Sequence, residues 1–153
     1  MVEKLSLDTG VLDLVFQNGQ HLRFNPTDMN LYKRFLDLVK QLPEIEQRYR
    51  EVEKRQTKDD SAFVGAVLDE AVKIDAEVKG RLDAAFGGNN NFDALLDGVN
   101  IMAWGKNGER IITNLLAVLK PYIDSGVKQY AKEAAADAVA VARQNREQRG
   151  SQK

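Results

Sequence analysis

Apolar residues recur along this chain with two different periods, and the change from one to the other falls near residue 25. Before it, residues 4–7 and 11–16 are apolar and β-prone, and Gln17-Asn18-Gly19-Gln20 sets Asn-Gly where a tight turn needs positive φ. The pattern predicts a hairpin of Leu12 to Phe16 with His21 to Phe24, turning on Asn18 and Gly19. In that register Phe16 lies opposite His21 and Val15 opposite Leu22. Both faces then carry apolar side chains, and because a lone hairpin is marginal in water, at least one face needs a helix or another subunit over it.

Beyond the hairpin the period becomes helical. Pro26 sets the chain's exit from the second strand, and Thr27 or Asp28 offers an oxygen to the first free amides of a helix. Met29, Tyr32, Phe35, Leu36, Val39 and Leu42 form its stripe, and Pro43 is expected to end or kink it. Ile45, Tyr49 and Val52 continue a thinner stripe, expected to run over the surface. After a loop at Gln56 to Asp60, with Asp60 or Ser61 as the cap, Phe63, Val67, Ala71, Ile74, Val78, Leu82 and Phe86 form the longest stripe, which Gly87 stops.

A short helix at Phe92 to Leu96 and an apolar connector, Val99 to Trp104, lead to a turn at Gly105-Lys106-Asn107-Gly108. From Glu109 a helix carries Ile112, Leu115, Leu116, Leu119, Tyr122 and Ile123 toward Pro121, where a break or a new first turn is expected. A last helix follows through Val127, Tyr130, Ala134, Ala138 and Val141, its apolar side chains shrinking along the way. Arg143 to Lys153 is polar and basic and reads as disordered. The expected fold is mainly α (α+β): an N-terminal β-hairpin followed by a bundle of about five helices. It forms one domain over residues 1–142, with the hairpin in 4–25, the helical part in 28–142, and a basic tail at 143–153.

At 153 residues the chain suits a single core. Cysteine is absent, so disulfides, thiol catalysis and thiolate metal sites are excluded together. No apolar run reaches the ~20 residues of a membrane span, and Met1-Val2-Glu3-Lys4-Leu5 lacks the order of a secretion signal, so a cytoplasmic protein is expected. The formal charge of −1 draws it toward no nucleic acid. The charge is unevenly spread, however: residues 59–100 hold 3 basic and 9 acidic side chains, and residues 101–153 hold 9 basic and 5 acidic, giving −6 and then +4. A solvated surface accounts for this, and so does head-to-tail self-association.

Motifs of chemistry are few. Asp8-Thr9-Gly10 matches the aspartic-protease tripeptide but occurs once, before a hairpin, and reads as a turn. Gly105-Lys106-Asn107-Gly108 lacks the spacing that cradles phosphates. Asp69-Glu70, Asp93 and Asp97 lack calcium-loop spacing and read as solvated carboxylates, while His21 reads as a packing or hydrogen-bonding strand residue. No catalytic, cofactor or metal residue is therefore assigned, and no cofactor is expected. Ile101, Met102 and Trp104 are the candidate partner-binding residues, because an apolar connector either folds onto the core or anchors a partner.

Arg23-Phe24-Asn25-Pro26-Thr27-Asp28, the charged helix, the acidic amphipathic helix, Phe86-Gly87-Gly88, the short helix and a closing helix with Leu119-Lys120-Pro121-Tyr122 together resemble the tail assembly chaperones of tailed phages and prophages. The resemblance covers roughly residues 4 to 133. Ala94-Leu95-Leu96-Asp97-Gly98 stands where that family usually has a second aromatic-Gly turn. The resemblance implies a non-enzymatic chaperone in the host cytoplasm that binds the tape measure protein, assists assembly of the tail tube protein around it, and self-associates. It also implies that a longer, frameshifted product often accompanies the shorter one. The alternative is a structural tail or connector component retained in the virion.

Overall fold

The computed structural model describes residues 1–56 and 61–151. It is mainly helical: strands β1 (Leu12–Val15) and β2 (His21–Phe24) precede helices α1 (Met29–Gln56), α2 (Ser61–Phe86), α3 (Phe92–Leu95) and α4 (Ile111–Ser151). The described residues thus form four helices where about five were expected. The difference lies at the prolines. Pro43 sits inside α1 and Pro121 inside α4, both on exposed faces, where water can take the carbonyl that each ring leaves unpaired one turn back. Residues 143–151, where a disordered tail was expected, form the last turns of α4. The long unbranched side chains of Arg, Gln and Glu there favour a helix.

The hairpin pairs one residue off the expected register, with Leu12 opposite Phe24, Leu14 opposite Leu22 and Val15 opposite His21. Its loop has three residues. The Phe16 amide donates to the Gln20 carbonyl at 2.9 Å, the Gly19 amide to the Phe16 carbonyl at 2.9 Å, and Gly19 alone takes positive φ, at 81°. A one-residue slip turns every side chain to the other face. Leu22 and Phe24 are accordingly buried with Leu14 and Phe16 against them, while Asp13, His21 and Arg23 form a polar outer face. There the Asp13 carboxylate accepts from His21 at 2.7 Å and from Arg23 at 3.0 Å, and the His21 hydrogen bond first of all holds its pKa below the ordinary value.

Helices α1 and α2 pack antiparallel, as Arg34 reaching the Ala85 carbonyl near one end and Arg48 pairing with Glu77 further along require. The seam of α1 is Leu31, Leu38, Ile45 and Val52, each 4 % exposed or less and spaced by seven residues. Phe35, Leu42 and Tyr49 pack beside it. This is a coiled-coil repeat. It differs from the expected stripe, since Met29 and Leu36 face solvent and the thin second half, Ile45 to Val52, is buried. On α2 the expected stripe from Val67 to Phe86 is the buried one; Phe63, its first member, lies outside the residues whose side chains are described.

Candidate interaction surfaces

Two asparagine-rich junctions hold the hairpin to the helices. Gly87 and Gly88 take φ of 69° and 63° at the end of α2, a turn only glycine makes without strain, and they aim Asn90 at the outer edge of β2. Its amide donates to the Arg23 carbonyl at 2.7 Å and accepts from the Arg23 amide at 2.9 Å, imitating a further strand. At the hairpin tip Asn18 donates to the Ala94 carbonyl at 2.9 Å and to Asp97 at 2.8 Å. Behind these bonds Phe24 meets Phe86 edge-on with centroids 5.1 Å apart, and Phe92 lies 5.2 Å from Phe86. The two sequence junctions, sixty residues apart, are therefore one structural unit.

The first junction also seats α4. Asn25 accepts from the Thr27 amide at 2.7 Å and donates to the Thr9 carbonyl at 2.8 Å, and Asp28 caps α1 by accepting from Asn30 at 2.9 Å. Pro26 is thereby pressed against Gly126, where an added Cβ would fall 1.9 Å from the Pro26 carbonyl oxygen. The Tyr32 hydroxyl donates to the Ile123 carbonyl, and its burial raises its pKa. From residue 127 to residue 149 every residue of α4 is exposed. At ~1.5 Å per residue this arm extends for roughly 35 Å.

The three candidate partner-binding residues separate. Ile101 is fully buried and Met102 is 2 % exposed, so both belong to the core, whereas Trp104 is 58 % exposed. The Ile101 amide donates to Asp75 at 2.7 Å, and Asp75 in turn pairs with the buried Lys79, which also reaches Asp93. Trp104 is held by Arg110, a residue with no apolar pattern to mark it in the sequence. The buried guanidinium lies 4.2 Å from the Trp104 ring and 5.3 Å from the Tyr49 ring. It donates to Glu53 at 2.7 Å, to Glu46 at 2.9 Å and to the Met102 carbonyl at 2.7 Å. Those bonds, Arg110 first, hold the Glu53 carboxyl below its usual range; burial alone would lower the Arg110 pKa, but Glu53 and Glu46 raise it. Burial likewise pushes the Tyr49 hydroxyl up.

Two open grooves flank the docked half of α4. One, of about 490 Å³, runs under Trp104 between α1 and α4 along Val39, Leu42, Met102, Ile112 and Leu116. The other, of about 500 Å³, lies between β1, the α3 turn and α4. Helix α4 makes both because its apolar arc is wider than the core needs. Ile112, Leu119 and Ile123 point inward, Leu116 turns to one flank, and Ile111, Val118 and Tyr122 turn to the other. That second flank recurs at helical spacing and was open to detection in the sequence.

Asp8-Thr9-Gly10 is a turn closed by Asp8 accepting from the Gly10 amide at 2.8 Å, and Gly105 to Gly108 is a turn as well. Among the described residues, no three His, Cys, Asp or Glu side chains come together to hold a metal ion, and no helix is long and apolar enough to cross a membrane. The chain matches no family model, no curated protein and no solved structure.

Proposed function

We propose that this chain is a non-enzymatic tail assembly chaperone that binds the helical tape measure protein and assists assembly of the tail tube. The observation that carries the reading is Trp104, a large exposed aromatic fixed by a buried arginine at the rim of an open apolar groove. A rigid aromatic anchor beside such a groove suits the apolar face of an amphipathic helix. Arg50, Glu109 and Glu46 on its rim offer both signs of charge to the polar flanks of that helix. Each contact is modest, which suits a partner that must later be released, while many copies along one filament raise retention through effective concentration. The resemblance at the two junctions names the partner.

The test is co-expression with a tape measure fragment and affinity capture of the pair. The expected outcome is a complex that Trp104→Ala weakens by about tenfold, the effect of one hot-spot side chain near 1.4 kcal/mol. A chaperone that stays alone in that capture overturns the reading. Abundant copies in purified virions, measured by mass spectrometry, would instead establish a structural tail component.

A further inference from the structure

The first eleven residues form no secondary structure and touch almost nothing, yet they carry large apolar side chains. Leu5 is 95 % exposed and Leu7 82 % exposed, and they alternate with polar Lys4, Ser6 and Asp8. Alternation with period two is the pattern of a strand that buries one face. The chain's tether to the body begins at Thr9, whose carbonyl accepts from Asn25, so residues 1–8 are a free arm that can span roughly 26 Å when extended.

The molecule also holds an unfilled place for such a strand. Of the hairpin, only β1 and its turn line the groove beside α3 and α4, so this groove lies on the open side of β1. With Phe16 bonded to Gln20, and Leu14 and Leu12 in step with it, the backbone groups of Asp13 and Val15 point away from β2 toward that open edge. A strand added there would complete its hydrogen bonds and lower two leucines onto Leu14, Phe16, Leu96, Leu115, Val118 and Tyr122.

We propose that this groove takes the N-terminal arm, residues 2–8, of a second copy of the chain. Residues 1–8 are exposed and lie outside the groove of their own chain, and the joint to β1 is held by Asn25 on the Thr9 carbonyl and by Asp8 on the Gly10 amide. A neighbouring copy's arm is free of that constraint. Each copy gives an arm and accepts one, so the assembly closes as a reciprocal dimer or a larger ring, or grows as a filament. This inference is independent of the tape measure reading, because it concerns only copies of this chain.

The chain's lack of cysteine makes the test clean. Leu7→Cys in one preparation and Val118→Cys in another are mixed under mild oxidant. The expected result is a disulfide-linked dimer in the mixture, at least tenfold above that from Leu7→Cys mixed with Leu36→Cys, which places a thiol on an exposed part of α1. Sedimentation of the wild-type chain should show concentration-dependent association that deletion of residues 1–7 abolishes while the circular dichroism spectrum is retained. The inference is overturned if the cross-link does not exceed the control, if a Leu7→Cys/Val118→Cys double variant closes only within one chain, if the wild type stays monomeric, or if the deletion associates unchanged.

Discussion

Arg110→Ala is the most informative single perturbation, because one guanidinium joins α1, the connector and the first turn of α4. The substitution removes the charge-assisted bonds to Glu46 and Glu53, the bond to the Met102 carbonyl and the stack on Trp104. Breaking a buried pair by removing one partner costs about 3–5 kcal/mol when the survivor stays dry. Here the two carboxylates keep 29 % and 33 % of their surface and can rehydrate. The cost therefore falls below that range, to about 2–3 kcal/mol, to which the cation–π contact adds about 0.5–1 kcal/mol. A loss of about 3 kcal/mol lowers the melting temperature of a chain this size by roughly 6–12 °C.

Urea denaturation followed by the single tryptophan gives both readouts at once, since the chain's one Trp is the residue being held. The midpoint should fall, and native-state emission should become more accessible to iodide. Arg110→Lys should recover less than half of the loss, because an ammonium cannot bond Glu46, Glu53 and Met102 while lying flat on the ring. In the folded chain Glu53 titrates below its ordinary value of 4.5, so its contribution is whole above that value and disappears as pH falls through the lower folded pKa. Wild-type stability should therefore drop as the pH falls below 4.5 and through the lower folded pKa, and that component should be missing in Arg110→Ala. A loss below about 1 kcal/mol, or a lysine variant equal to wild type, would refute the account of Arg110 as the pin.

Leu38→Ala should cost about 2–5 kcal/mol in urea, against under about 0.5 kcal/mol for Leu36→Ala, because only Leu38 lies in the α1 seam. Equal losses would dismiss the seven-residue repeat. Gly126→Ala should destabilise by at least about 1–3 kcal/mol, since its Cβ has no room beside Pro26, and hydrogen exchange should accelerate through residues 111–126. Ala135→Pro should remove helical dichroism from the exposed arm at a local cost near 3 kcal/mol while leaving the urea midpoint of the body unchanged, because those turns are exposed.

The α2 stripe was legible because it is regular, apolar and uninterrupted, so periodicity alone located its buried face. On α1 the charged residues around Ile45 and Val52 diluted the signal, and Met29 and Leu36 drew the stripe toward the wrong face. What decides there is the seven-residue repeat of the partner seam, which a single-helix reading does not see. Asn18-Gly19 named the turn but not its length, because Asn18 spends its side chain on α3 and never takes positive φ. The prolines misled for a related reason: Pro43 and Pro121 both sit on exposed faces inside their helices, and neither ends its helix. Arg110 was invisible as a site residue, since its partners lie about sixty residues away on α1.

Helix α4 shows how packing and exposure divide one element. Nucleation is the costly step in helix formation, and the turns from Ile111 to Gly126 meet that cost by burying Ile112, Leu115, Leu119 and Ile123. Each later residue adds to an existing helix, so an exposed, alanine-rich arm can extend from the docked turns. Its apolar face, Val127, Tyr130, Ala134, Ala138 and Val141, continues the buried one in phase, yet the body ends beneath it. Docking of α4 therefore governs the arm's helicity as well as the grooves beside it. Loosening Gly126 against Pro26 should fray residues that lie thirty ångströms away, at roughly 1.5 Å per residue, without touching them.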